Sequence, residues 1–250
     1  MIKIFLGNVG SGKTAMAVRE IALNKNKRKT FSNIKTKIAH QIDISANMII
    51  KKEIVDHVKK KATGDLQPVY EYKLNKSFWM GIEEPINVVL DESHNIINSR
   101  RSMSKINIIV TEWMALIRRV LGETSSGYGE LTLITQLPNR IDVIARDMAT
   151  QVRYHVMHYA KVCLLCRCVW QEHSNMPEPI HECPQCGRSS IKKFGFTVEV
   201  WHFKNMNDFK VWEDFGNETF YNHYLVKDIE RTAFGLYDTL QWSNMFSEFY

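Results

Sequence analysis

The sequence predicts a three-layer α/β fold on a largely parallel sheet, with a small cysteine-rich, zinc-ribbon-like insertion. Three observations predict it. Short, nearly continuous apolar runs, the mark of strands buried on both faces, alternate with amphipathic helical stretches. The chain opens as strand, glycine loop and helix, the start of a βαβ unit. The cysteines crowd one short span, residues 163–186, outside the alternating pattern.

Ile2, Ile4 and Leu6 alternate with Lys3 and Phe5, and a helical face follows through Ala15, Met16, Val18, Ile21 and Ala22. Residues 30–34 read as a second strand. Residues 47–61 show helical spacing at Ile50, Ile54, Val55 and Val58 with lysines opposite, and Gly64 closes that segment. Residues 69–74 read as a strand and 86–90 as a short buried one. A long amphipathic helix is expected over 108–121, a loop over 122–129, and a buried strand over 131–135. A helix over 141–148, strands over 152–156 and 194–203, and a mostly helical end over 224–240 complete the reading. The expected division is a core over 1–160, a metal module over 161–192, and a segment over 193–250 that packs back on the core.

The 250 residues are 44% hydrophobic and 24% charged, which supplies a core and excludes the disordered class. Five cysteines are too few for a disulfide scaffold, and no stretch nears the roughly 18 apolar residues of a membrane span. Met1-Ile2-Lys3 runs into the glycine loop without a secretory signal, so a cytoplasmic location is expected (host cytoplasm for a viral protein, with transient visits to a procapsid vertex or membrane surface). The net charge of +6 is unevenly placed. Residues 1–61 hold 14 Lys and Arg against four acids, whereas residues 195–250 hold four against nine. The clusters Lys25, Lys27, Arg28, Lys29 and Lys59-Lys60-Lys61 suit either a polyanion or a solvated surface.

Gly7-Asn8-Val9-Gly10-Ser11-Gly12-Lys13-Thr14 matches G-x-x-x-x-G-K-[ST] and sits between an apolar strand and a helix, the context the motif requires. Glycines let successive N–H groups turn inward on phosphate oxygens, and the helix start adds its positive end. Lys13 is expected on the β- and γ-phosphates of ATP, and Thr14 on Mg²⁺. Roughly 80 residues on, the run 86–90 ends in Asp91-Glu92. Asp91 is the candidate second Mg²⁺ holder and Glu92 the candidate that polarises the attacking water. Gln136, after the run Leu131-Thr132-Leu133-Ile134-Thr135, is the candidate γ-phosphate sensor. An arginine supplied across a subunit interface would complete the site; Arg118, Arg119 and Arg146 are the candidates, with Arg100-Arg101 behind them. No Asn-Lys-x-Asp motif marks a GTPase, because Asn75-Lys76 is followed by Ser77-Phe78. His94, directly beyond Glu92 and Ser93, reads as a packing residue or one that touches the nucleotide site, and Trp113, Trp201, Trp212 and Trp242 read as core or interface residues.

Together, Gly7 to Thr14, Val88-Val89-Leu90-Asp91-Glu92 and Ile134-Thr135-Gln136-Leu137-Pro138 resemble the P-loop ATPases of the FtsK–HerA superfamily, in the ASCE class. Two branches fit: the genome-packaging ATPases of archaeal and tailless viruses, and the Zot-like ATPases of phage morphogenesis. The amino-terminal P-loop and Ser32-Asn33-Ile34 look more like Zot. The span from Trp113 through Arg118-Arg119 to Ile141-Asp142 is similar to both, and Tyr237-Asp238-Thr239 resembles a tail segment of packaging ATPases. The resemblance covers about residues 1–157. It implies an ATP-driven homo-oligomeric ring, with double-stranded DNA in its pore in the packaging branch and capsid or other virion proteins as further partners.

Cys163-Leu164-Leu165-Cys166 and Cys183-Pro184-Gln185-Cys186-Gly187 form C-x₂-C-x₁₆-C-x₂-C, within the spacing of a structural Zn²⁺ site. Cys168 is a spare thiol, and His173 or His181 can replace one ligand. The span is short and polar, so metal binding would supply much of its folding free energy.

These readings converge on a Mg²⁺-ATP-hydrolysing motor that moves DNA during packaging for a virus or mobile element. A Zot-like ATPase of virion assembly or extrusion is the first alternative. A zinc-containing scaffold that binds nucleotide with little hydrolysis is the second.

Overall fold

The computed structural model describes residues 1–25, 28–59, 66–96, 105–121 and 129–238. Lys27, Lys60, Lys61, Arg100, Arg101, Thr239 and Trp242, together with residues 122–128 of the expected loop, lie outside them, as do the side chains of Lys59 and Arg118.

Among the described residues the main sheet has nine strands. Its parallel part comprises β1 (Ile2–Leu6), β2 (Lys29–Ser32), β3 (Gln41–Asp43), β6 (Ile86–Leu90), β7 (Glu130–Ile134) and β8 (Gln151–Cys163), after a separate hairpin of β4 (Ile50–Lys59) and β5 (Leu66–Leu74). Three strands add antiparallel pairing: β9 (Val169–His173), β10 (Ile191–Phe203) and β11 (Asn222–Val226). The order across the sheet is β3-β2-β6-β7-β1-β8-β10-β11, with β9 on β8. The strand before the glycine loop and the strand before the acids are therefore not neighbours; β7 lies between them, pairing Phe5 with Ile134 and Leu133 with Leu90.

Strand alternation explains the three layers. Ile2, Ile4 and Leu6 face one side, where they join Val88, Leu90, Leu131 and Leu133 under α4 (Lys105–Val120). That helix buries Val110, Trp113, Met114 and Ile117, and Trp113 meets Trp79 of α3 (Lys76–Met80) with ring centroids 5.4 Å apart. Phe5 faces the other side, where Val89, Ile134, Val198 and Val200 receive α1 (Lys13–Asn24) through Ala15, Met16, Val18 and Ile21. α7 (Ile229–Thr232) joins the same layer. Lys3 also points to this side, paired with Glu130 at 2.7 Å and Glu20 at 3.6 Å, so the buried cation is compensated.

Two expectations are corrected. Residues 47–61 form the short helix α2 (Ala46–Ile49) and then strand β4. The spacing of four that suggested a helix (Ile50, Ile54, Val58) is also a multiple of the strand period, and the β-branched run pairs with the tyrosine-bearing β5. The end expected to be mostly helical over 224–240 is not so in its described part, 224–238: β11 takes up the free edge of β10, α7 lasts four residues, and Gly235 at φ +83° turns the chain. The helix expected over 141–148 is present as α5 (Val143–Asp147), whose amino end is capped by the Asp142 carboxylate accepting from the Ile144 amide at 3.0 Å. α6 (Met206–Phe215) packs Phe209 beneath Phe203.

β8 and β10 run unbroken through positions 160/161 and 192/193, so the cysteine module continues the sheet. Leu6, the last residue of β1, pairs with Tyr154, and β8 then continues nine residues to Cys163. That extension is roughly 30 Å, and it stands on the side where the parallel strands end.

Candidate nucleotide site and cysteine cluster

The carboxyl ends of β1, β2, β6 and β7 converge, the position at which α/β sheets bind ligands. The loop after β1 makes a tight turn in which the Ser11 amide donates to the Asn8 carbonyl at 3.2 Å. Two glycines are required by space as well as by φ. A Cβ on Gly7 (φ +140°) would lie 2.4 Å from the His155 carbonyl oxygen. One on Gly12 (φ +88°) would lie 2.8 Å from both Met157 Cε and Val198 Cγ2. Gly12 also starts α1 without a side-chain cap, leaving the first amides of the helix available to an anion. The Lys13 ammonium is buried and donates to the carbonyls of Gly7 and Asn8, each at 2.8 Å, and to Ser11 Oγ at 3.3 Å. Burial brings its pKa down to about 8, against the pull of Asp91 and Glu92.

The acids stand opposite. Thr14 Oγ1 donates to Asp91 Oδ2 at 2.8 Å across 77 positions of sequence. Burial raises the Asp91 carboxyl, while the bonds from Thr14 and from the Glu92 amide oppose that shift. A half-buried carboxylate beside a hydroxyl is the hard oxygen donor set that suits Mg²⁺, so Thr14 and Asp91 fit the expected cation. The Asp91 backbone is held by Asn33, whose Oδ1 accepts from the Asp91 amide at 2.7 Å and whose Nδ2 donates to the Asp91 carbonyl at 2.9 Å. Glu92 takes the left-handed conformation (φ 50°), a strain of about 1–2 kcal/mol for a residue with a Cβ. Gln136 Nε2 donates to Glu92 Oε1 at 3.0 Å. His94 is buried between Glu92 Oε2 at 3.3 Å and Thr135 Oγ1 at 3.1 Å; burial, then Arg140, lowers its pKa, so the ring is neutral near pH 7.

These groups line one side of a cavity of about 480 Å³, whose other walls come from β8, β10 and residues 234–238. Gly10, Ser11, Gly12, Lys13, Thr14, Asp91, Glu92 and Gln136 line it, whereas Gly7, Asn8 and Val9 do not. Arg119 is exposed on α4, and Arg146 lies in the last turn of α5; neither reaches the cavity of its own chain.

At the far end of β8 the sulfurs of Cys163, Cys166, Cys183 and Cys186 lie within 4.8 Å of one another. The closest pairs, Cys166–Cys183 at 3.4 Å and Cys163–Cys186 at 3.6 Å, approach the S···S edge of about 3.8 Å that a tetrahedron with Zn–S near 2.3 Å requires. Each C-x₂-C closes in a tight turn, with the Arg167 amide donating to the Cys163 carbonyl at 3.0 Å and the Gly187 amide to the Cys183 carbonyl at 2.8 Å. The Cys166 amide draws the Cys163 thiol down. Burial raises the Cys183 thiol, but the Cys186 and Gln185 amides outweigh it and bring it to about 6, while its neighbour Cys166 is pushed up to about 12 and Cys186 is also raised. The four thiols fit a structural Zn²⁺. Cys168, His173 and His181 are outside the cluster.

A family model described as zonular occludens toxin (Zot) matches residues 1–177. The chain belongs to the Zot family. Its place among the FtsK–HerA-type P-loop ATPases, implied by the motifs over about residues 1–157, therefore stands. The N-terminal domain of zonular occludens toxin from Neisseria meningitidis is 17% identical, with a TM-score of 0.46 over 95% of this chain and 98% of that one. The genome packaging NTPase B204 from Sulfolobus turreted icosahedral virus 2, solved with ATP-gammaS, is 12% identical, with a TM-score of 0.32 over 61% and 74%. No curated protein sequence matches the chain.

In this Zot-family chain the predicted loop, acids and Gln136 come together, and neither Arg119 nor Arg146 joins them. Sequence reasoning missed Asn33 as the group that fixes Asp91, although Ser32-Asn33-Ile34 already carried a family likeness. It also missed the cavity's second wall, for which only the tail likeness at Tyr237-Asp238-Thr239 gave a signal. No helix among the described residues is long and apolar enough to cross a membrane.

Proposed function

We propose that this Zot-family chain is an ATP-hydrolysing motor of virion morphogenesis that works on DNA as a ring of its own copies. The observation that carries the proposal is the convergence of Thr14 on Asp91 at 2.8 Å and of Gln136 on Glu92 at 3.0 Å. A turn that only held phosphate would have no use for a second carboxylate, oriented by an amide, beside the first.

The residues divide the work. The loop from Gly7 to Gly12 and the first amides of α1 bind the phosphates, and the Lys13 ammonium exchanges its carbonyl partners for β- and γ-oxygens. Thr14 and Asp91 would hold Mg²⁺, which when bound neutralises charge building on those oxygens. Glu92 Oε2 accepts a proton of the attacking water and aims it in line with the β–γ bond. Gln136 orients Glu92 through Oε1 and, from the end of β7, links its position to the chain leading to α5. The cavity lining among the described residues contains Lys35 and Lys193 but no arginine, which supports an arginine from a neighbouring copy and hence an oligomer. The excess of lysine and arginine over residues 1–61 supports a polyanionic partner.

Turnover with and without linear duplex DNA tests this. Lys13→Ala should abolish turnover, and Glu92→Gln should lower kcat at least about 100-fold while ATP still binds. DNA should raise the wild-type rate severalfold. The family match to Zot favours one second reading, an ATPase of virion assembly or extrusion. That reading predicts a rate indifferent to DNA and raised by coat or membrane proteins that co-purify with the chain. Negligible turnover with every partner would overturn both and leave a nucleotide-binding scaffold.

A further inference from the structure

The cavity has two chemically different sides. Phosphates and a divalent cation need only the polar one. The other side is built from Tyr159 of β8, Lys193 and Phe196 of β10, and Phe234 of the tail, with Met157 of β8 reaching Gly12 and Tyr237 completing the wall. We propose that this aromatic side is the nucleobase site, where a planar purine stacks against Phe196 and Phe234 and sets the affinity of the chain for nucleotides over bare polyphosphates. The proposal rests on the reading of the loop as the phosphate site.

Four observations carry it. The rings are held before any ligand arrives: Phe196 meets Phe234 edge-on with centroids 5.3 Å apart, and Tyr159 meets Phe196 at 5.9 Å. Stacking on rings already fixed costs little side-chain entropy. Phe196 is also aimed. The β8–β10 pairing breaks register between Phe194 and Thr197, and Gly195 takes φ +65°, so the bulge turns this side chain out of the ladder. The aromatic wall is set against the phosphate loop, because Met157 and Val198 approach Gly12 so closely that any Cβ there would collide with them. Finally, the tail is fastened to residues 36–37, directly after the cavity residues Asn33, Ile34 and Lys35. The Lys37 amide donates to the Leu236 carbonyl at 2.8 Å, and Thr36 bridges Tyr237, which brings Phe234 back to a site whose other residues lie far earlier in the chain.

A core cluster would not need this arrangement. Phe196 and Phe234 are only partly buried and both line the cavity that Lys13 and Asp91 line. Every base has a π-face, so such a wall binds purines by stacking area without reading hydrogen bonds.

The test compares three ligands on the full chain by calorimetry: Mg²⁺-ATP, Mg²⁺-tripolyphosphate and adenosine. Phe196→Leu and Phe234→Leu keep apolar volume and remove the ring. Each should weaken ATP about tenfold or more and abolish adenosine binding, while tripolyphosphate affinity stays within about twofold, which also reports intact folding. Equal losses for ATP and tripolyphosphate, or unchanged ATP affinity, would overturn the base site. The phosphate reading fails differently: Lys13→Ala would then leave ATP affinity untouched while Phe234→Leu still lowered it.

Discussion

Lys13 faces two opposed demands. Its ammonium must be buried to meet phosphates, and burial disfavours its charge, bringing the group from 10.5 to about 8. Between these values the unfolded chain binds more proton than the folded one, so this residue makes stability rise with pH across the window. Below pH 8 the lysine is charged in both states and the burial cost is present in full. Phosphate binding reverses the balance, because the ligand's negative charge favours the ammonium. ATP affinity should therefore fall as pH rises above about 8, by up to about tenfold per pH unit, and binding in that range should take up a proton. Calorimetry in two buffers of different ionisation enthalpy measures the uptake. The profile should flatten in Lys13→Met, and a wild-type affinity constant from pH 7 to 9.5 would show that the charge on this group does not serve binding. Lys13 was legible in the sequence because its chemistry is local: glycines, lysine and hydroxyl sit within eight consecutive positions. Asn33 was not, since its two bonds to the Asp91 backbone cross 58 positions and depend on β2 lying beside β6.

At the scale of elements, β8 and β10 join the two sites. Their antiparallel pairing runs from Val152–Phe203, level with Ile4 of β1, through Met157–Val198 against the phosphate loop, to Cys163–Ile191 at the cysteines, so the thiols close a hairpin whose middle is the cavity wall. The pairing is supported below the cysteines by the buried Lys161–Glu172 ion pair at 2.8 Å, which Tyr159 and Trp170 also reach. Zinc should thus fix the tip while the ladder holds the rest. Freshly purified protein should carry about one zinc per chain, with the four clustered thiols unreactive toward a maleimide until a chelator is added. Chelation should expose residues 164–190 to protease while leaving the melting of the core nearly unchanged. Immediate reaction of all four thiols, with no zinc found by metal analysis, would remove the metal assignment. The cysteine spacing announced this cluster, since paired ligands in tight turns need little else to meet. Strand β4 was misread for a related reason: a spacing of four suits both periods, and only pairing with β5 separates them. The aromatic wall was illegible because β8, β10 and the tail contribute one or two residues each, brought together by a bulge and a single bridge.

At the scale of the molecule, the site of one chain is incomplete if it is to hydrolyse ATP quickly. An arginine on the transferring phosphoryl group is worth about 10³–10⁵ in kcat, and the described cavity lining has none. Arg119 lies exposed on α4, and Arg146 lies in the last turn of α5, the helix that follows the segment carrying Gln136. These two and Arg118 are the candidates to cross an interface between copies. If one acts across an interface, a chain that cannot bind ATP can still serve its neighbour. Lys13→Ala should be inactive alone, and the correct arginine variant should be nearly so. Their equimolar mixture should recover roughly a quarter of wild-type activity, because that fraction of randomly formed interfaces pairs an intact phosphate loop with an intact arginine. Running the mixture with Arg118→Ala, Arg119→Ala and Arg146→Ala in turn identifies the residue. An arginine acting within its own chain would give inactive single variants and no recovery in any mixture. Three active arginine variants would mean that the transition state is met by the lysines of the cavity alone, and the need for a ring would go with the arginine.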